Sequence, residues 1–303
     1  MNAQPYHLYI SPKTKFLNFL RKFFIITGLD NSLAGLNRKG RASSIVGRLI
    51  PPNYLYPSGS SRNCCISGIN YFVDISDTNG HASFFGLIDP AQDKLRDIVK
   101  EGMTIYDIGA NIGAWTLMFA KKVTASGSVI SFEPSPVNFQ QANKNISINN
   151  FKNILLINEG LGDKRTSSFL YNVNPNNRGM LRFLPDGKCD LYEKEEVQID
   201  TLDNKINAVH LSPPDLIKID VEGFEFKVLT GAYNTIKKFK PVLFIELDDN
   251  NLTEQGSSAS ELVGFLEALE YKITDARTGD IVNEHSDFSN SHFDILCTNS
   301  NPS

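Results

Sequence analysis

The sequence of 303 residues predicts an α/β fold, a mostly parallel sheet with helices on both faces. Three observations predict it. From residue 103 onward, apolar runs of strand length alternate with amphipathic segments of helix length. Several of those runs are apolar on nearly every residue, as strands buried on both faces must be. The first of them ends in a glycine-rich turn that feeds directly into a helix.

Residues 1–62 read as a basic, partly helical N-terminal arm. They hold nine Lys/Arg and one acid, Asp30, a charge of +8 against −12 for the rest of the chain. Within 13–28, Phe16, Leu17, Phe19, Leu20, Phe23 and Phe24 recur at helical spacing. Such a stripe either packs on the acidic body or makes a peripheral contact with an anionic membrane. Packing on the body is the favoured expectation. "PPNYLYPSGSS" marks a boundary, and residues 63–303 read as the main domain.

"INYFVDIS" and "ASFFGLI" are expected as strands across a "DTNG" turn, and "AQDKLRDIVKEG" as a helix stopped at Gly102. "MTIYDIG" is a strand, "AWTLMFAKKV" a helix and "SVISFEP" a strand. "SPVNFQQANKNISINN" is a helix with Ser135 as N-cap and Pro136 in its first turn. "NILLINEG" is the next strand. Residues 164–203 break the alternation and read as an antiparallel insertion. "DLIKIDVEG", "PVLFIEL", "YKITDA" and "HFDILCT" are the remaining strands. "FEFKVLTGAYNTIKKF" and "SASELVGFLEALE" are the helices between them.

No apolar run approaches the ~18 residues of a membrane span. Residues 16–29 are interrupted by Arg21 and Lys22 and lack a cleavage signal, so a cytoplasmic protein is expected, peripheral to the membrane if the arm binds it. Cys64, Cys65, Cys189 and Cys297 fit neither a zinc spacing nor a disulfide framework.

The turn after the first strand carries Asp107, Gly109, Asn111 and Gly113. A dinucleotide-binding turn would place a glycine where Asn111 stands. An acid two residues before the first glycine suits a ligand with a cationic group and hydroxyls. S-adenosyl-L-methionine has an ammonium, a sulfonium and a ribose diol. Glu133 ends the next strand, where an acid accepts ribose hydroxyls. Further along, Lys218, Asp220 and Glu222 share one face of what should be a buried strand. Three charges there are costly unless paired or used. A Lys218–Asp220 ion pair is the structural alternative to a catalytic role for Asp220. Glu246 ends the neighbouring strand.

"YDIGANIGAWTLMFA", "VISFEPSPVNFQQANKNISINN", "DLIKIDVEGFEFKVLTGA" and "KPVLFIEL" closely resemble the FkbM-type S-adenosylmethionine-dependent methyltransferases, over roughly residues 69–275. The resemblance implies a Rossmann-like class I methyltransferase sheet of seven strands, the last antiparallel. It implies O-methylation of a hydroxyl on a sugar, glycan or other small natural product. By it, Asp107, Gly109, Asn111 and Gly113 bind the methionine end and Glu133 the ribose, with Gly162 and Asp163 near the adenine.

Asp220 is the first expected general base and Glu222 the second. His210, His285 and His292 rank below them. A divalent metal between the acids is not favoured, since the sequence offers no third ligand. A nucleic-acid acceptor is disfavoured by the acidic body. The remaining alternatives are another acceptor class and a non-catalytic interaction module on the same fold.

Overall fold

The computed structural model describes residues 11–38, 45–87, 90–174, 177–184, 192–289 and 291–299. Cys189 and parts of the arm and insertion lie outside them. The main sheet has seven strands: β1 (Thr104–Ile108), β2 (Ser128–Phe132), β3 (Ile154–Ile157), β4 (Leu216–Ile219), β5 (Val242–Asp248), β6 (Tyr271–Asp275) and β7 (His292–Asn299). Their order is β6-β7-β5-β4-β1-β2-β3. β7 pairs antiparallel with both β5 and β6, and the other pairings are parallel. This is the expected seven-stranded class I methyltransferase sheet with its antiparallel last strand.

Side chains alternate across the sheet. Tyr106, Ile130, Ile217 and Ile245 enter one apolar core, while Ile105, Val129, Leu216 and Phe244 enter another. The strand order reverses between β1 and β4, which opens a crevice at their C-terminal ends. The insertion forms a separate four-stranded sheet from Gly160–Leu161, Thr166–Asn172, Leu181–Phe183 and Lys194–Asp200. Its three longer strands pair antiparallel.

Two expectations fail N-terminal to this sheet. "ASFFGLI" is no strand: residues 82–85 close helix α2 (Thr78–Phe85), which follows α1 (Pro12–Thr27) in our numbering, Gly86 caps it, and Ile88 lies outside the described residues. Asp77, read as part of a turn, is the N-cap and accepts hydrogen bonds from the amides of Asn79 and Gly80. The strand Ile69–Asp74 pairs instead with Ser61–Ile66, across a tight turn at Ser67 and Gly68, both at positive φ. Position 62 therefore falls inside a strand, and Leu33, Ile50 and Tyr56 share a core with Val73, Phe84 and Leu117.

The second failure concerns the arm's stripe. α1 forms as expected, capped by Ser11 and ended by Gly28, but most of the stripe does not pack on the body. Phe16, Phe19, Leu20 and Phe23 are exposed, while Phe24 and Ile25 turn inward. Polar contacts fix the inner face: Asn18 Nδ2 donates to Tyr54 Oη (3.2 Å), and Arg21 donates to the Arg48 carbonyl (2.8 Å).

Candidate active site

β1 delivers Asp107 and Ile108 to the crevice, and the chain then turns into α3 (Ala114–Val123). Gly109, Asn111 and Gly113 all have positive φ, at 85°, 51° and 81°. Glycine adopts this region freely and asparagine tolerates it. Gly109 is required twice over, because a Cβ there would collide with the Asp220 carbonyl oxygen. The turn's amides face the end of β2. Asn111 N–H donates to Glu133 Oε2 (2.7 Å), and Ser135 N–H donates to Glu133 Oε1 (3.0 Å). Ser135 also caps α4 (Pro136–Ser147), as expected. Burial outweighs these two hydrogen bonds and pushes the Glu133 carboxyl up to about 7.

Register explains the charges beneath the turn. Ser131, Asp107 and Lys218 lie opposite one another on β2, β1 and β4. Asp107 is completely buried. Its Oδ2 accepts from Thr116 Oγ1 (2.6 Å), and Thr116 meets Ser131 Oγ (2.9 Å). Its Oδ1 has no hydrogen bond; Lys218 Nζ stands 3.7 Å away. Burial raises the Asp107 pKa despite that cation. Lys218 also reaches Asp220 Oδ2 (3.0 Å) and the Gly109 carbonyl (3.3 Å). Burial would depress its pKa, but Asp220 and Asp107 outweigh it and raise it.

Beyond Lys218, the tips of β4 and β5 carry Asp220, Glu222 and Glu246, which can each bring a carboxylate oxygen within 4.8 Å of the others. Glu222 sits at φ 55°, held by Asn251 Nδ2 (3.3 Å) and Arg182 (3.6 Å). Burial, reinforced by Asp220, pushes its carboxyl up to about 7. Glu246 is raised well above its ordinary value, first by burial and then by Asp220 and Glu222. Three oxygen donors of this kind could hold a hard cation, but Lys218 already supplies a positive charge at Asp220.

These groups border one cavity of about 580 Å³. Gly109, Asn111, Glu133, Asp220, Glu222 and Glu246 all line it. Its floor is the crevice where the strand order reverses. The insertion contributes Arg178, Leu181 and Phe183, and the N-terminal hairpin with α2 contributes Ile69, Tyr71 and Ala82.

The profile of the methyltransferase FkbM domain matches residues 107–273, more than half of the chain. The chain belongs to the FkbM methyltransferase family. Methyltransferase 1 of Beauveria bassiana is 28% identical over 158 residues, which is 46% of this chain and 63% of that relative. Methyltransferase sdnD of Sordaria araneosa is 26% identical over 156 residues, 42% of this chain and 60% of the relative. The chain thus spans less than two thirds of either. The hexuronic acid methyltransferase AglP of Haloferax volcanii is 24% identical over 199 residues, 65% of this chain and 75% of the relative. Among solved structures, an FkbM methyltransferase from Methylobacillus flagellatus has 18% identity and a TM-score of 0.42, over 64% of this chain and 43% of that one.

Within this FkbM domain, the predicted residues divide into those on the cavity wall and those behind it. Asp107 lies behind the wall, in contact with Thr116 and Lys218. Gly113 packs against Ala142 at the start of α3, where a side chain would be strained. Gly162 is wedged against Phe224, and Asp163 is exposed. Their neighbours Glu159, Gly160 and Leu161 line the cavity instead. The ion pair between Lys218 and Asp220 does form. His210 and His285 are exposed and do not line the cavity. Only His292 approaches the acids, 3.2 Å from Asp248 and 3.9 Å from Glu246. Arg178 and Phe183, also in the wall, carry no motif that could have marked them, and Trp115 lies within the glycine-turn block without a role assigned from sequence.

Proposed function

We propose that this chain transfers a methyl group from S-adenosylmethionine to a hydroxyl of a sugar, glycan or other small natural product. One observation carries the reading. The glycine turn, the Glu133 carboxylate and the acids ending β4 and β5 face a single cavity. The residues fit the cofactor: Gly109 and Asn111 line the cavity where the turn leads into α3, and Glu133 presents an acid to it at the end of β2. Gly109 and Asn111 would then hold the methionine end and Glu133 the ribose. Gly160, Leu161 and Phe224 would flank the adenine, displacing the sequence assignment by two residues. Asp107 acts from behind, fixing Lys218 and the turn.

When bound, the cofactor supplies an electrophilic methyl on a sulfonium. The protein's part is alignment and removal of one proton. Glu222 is the better proton acceptor of the two candidates: its carboxyl is pushed up to about 7, near working pH. Asp220, bonded to Lys218, orients the acceptor hydroxyl. This reverses the order suggested by sequence. The sugar class is supported by the hexuronic acid named in the Haloferax volcanii relative, and by an acidic body unsuited to nucleic acid.

The test is methyl transfer from labelled S-adenosylmethionine to sugar nucleotides, oligosaccharides and lipid-linked glycans. Calorimetry runs beside it with S-adenosylhomocysteine and with NAD. Binding of NAD without any response to the sulfur compound would overturn the reading.

A further inference from the structure

We infer that α1 is an interfacial anchor that lies on an anionic lipid surface. The inference does not depend on the methyl-transfer chemistry. Phe16, Phe19, Leu20, Phe23 and Ile26 are all solvent-exposed, Ile26 at 84% and Phe19 at 72%. At 100° per residue they occupy an arc of about 120° along a helix about 24 Å long. The body-facing residues Asn18, Arg21 and Ile25 project from the opposite side. The helix thus departs from an ordinary surface helix: Asn18 and Arg21 join Phe24 and Ile25 on the inner face, and most of the aromatic stripe points outward.

The flanking charges select the occupant. On the same wheel, Lys13 borders one edge of the stripe, and Lys15 and Lys22 border the other. All three are exposed, and no acid occurs from residue 11 to 29. Phenylalanines bounded by lysines match the boundary between acyl chains and anionic headgroups, where the rings bury and the amines meet phosphate. A second copy of this chain is a poorer occupant. Five side chains on one helix fall short of the roughly 800 Å² per partner of a stable interface. Isologous pairing would also set the lysines of the two copies against each other. At 16 residues the helix cannot span a bilayer, and no helix among the described residues is long and apolar enough to do so.

The experiment is flotation of the full chain with vesicles of phosphatidylcholine alone and with 30% phosphatidylglycerol. The wild type should float with the anionic vesicles, less at high salt, and poorly with neutral ones. The variant Phe16→Ser/Phe19→Ser/Phe23→Ser should lose binding by about tenfold or more, with melting temperature little changed because the three rings are mostly exposed, Phe23 meeting its neighbour Phe24 edge-on. Lys13→Gln/Lys15→Gln/Lys22→Gln should bind weakly and lose its salt dependence. The inference is overturned if the wild type ignores anionic vesicles or if the triple Phe variant floats like wild type. It is equally overturned if light scattering shows a dimer that the Phe variant dissolves, since the stripe would then be covered by a second copy.

Discussion

Lys218→Met removes the cation that faces both Asp107 and Asp220. Its cost can be worked from the two partners. Asp220 is 41% exposed in its side chain, so water screens that half of the arrangement and its loss contributes little. Asp107 is fully buried, with Oδ1 bonded to nothing and Lys218 as its nearest cation. Breaking a buried pair by deleting one partner costs about 3–5 kcal/mol. We expect the low end, about 3 kcal/mol, because Asp107 can relieve its charge by taking a proton. That relief has a direction. Asp107 already binds its proton more tightly folded than unfolded. The variant strengthens this, so its deficit should shrink towards pH 5 and grow towards pH 8. Urea denaturation at several pH values measures it. Adding Asp107→Asn should recover about 2 kcal/mol, since both charges are then gone and Thr116 keeps its acceptor. Additive losses in the double variant, or a deficit independent of pH, would refute the account of Asp107 as a buried charge held by Lys218.

Glu133→Ala should weaken S-adenosylhomocysteine binding by about 1.5–3 kcal/mol, the scale of hydrogen bonds to a charged group, and lower the melting temperature by freeing the Asn111 and Ser135 amides; calorimetry with an unchanged Kd would remove Glu133 from the ribose site. Turnover should rise from pH 6 to 8 as the Glu222 carboxyl, at about 7, loses its proton, and Glu222→Gln should lower kcat by about 10²–10⁴ and flatten that limb; an intact limb would place the base elsewhere. EDTA should leave turnover unchanged, because Lys218 already answers the acids; loss reversed by Mg²⁺ would instead put a cation among Asp220, Glu222 and Glu246.

The sheet and the turn were legible because both rest on local demands. Positive φ at Gly109 and Gly113 needs glycine, and buried strands need apolar runs. Glu133 was legible because the acid's place at a strand end follows from strand length alone. What escaped depends on partners distant in the chain. "ASFFGLI" is too short for its periodicity to separate strand from helix, and the Asp77 cap decides it. The stripe on α1 was visible as a stripe, but its outward direction is set by Tyr54 and Arg48, dozens of residues away. Gly162 looked like a ligand glycine, yet its smallness serves a close approach to Phe224, and a Cβ on Gly231 would collide with its carbonyl oxygen.

The meeting of Gly109 with the Asp220 carbonyl has a consequence for how this fold diversifies. Backbone, with no intervening side chain, sets the spacing between the turn proposed to hold the methyl donor and the strand end proposed to receive the acceptor. The Lys218 bond to the Gly109 carbonyl ties them again. On that proposal, reactant alignment is a property of two adjacent strands. Arg178, Leu181 and Phe183 on the insertion, and Ile69, Tyr71 and Ala82 near the hairpin, enter the same cavity from elements outside that pair. If the donor and acceptor sit as proposed, those walls could be recut for a new acceptor while the distance between turn and strand end stays fixed, and one reactive gauge would serve many substrates.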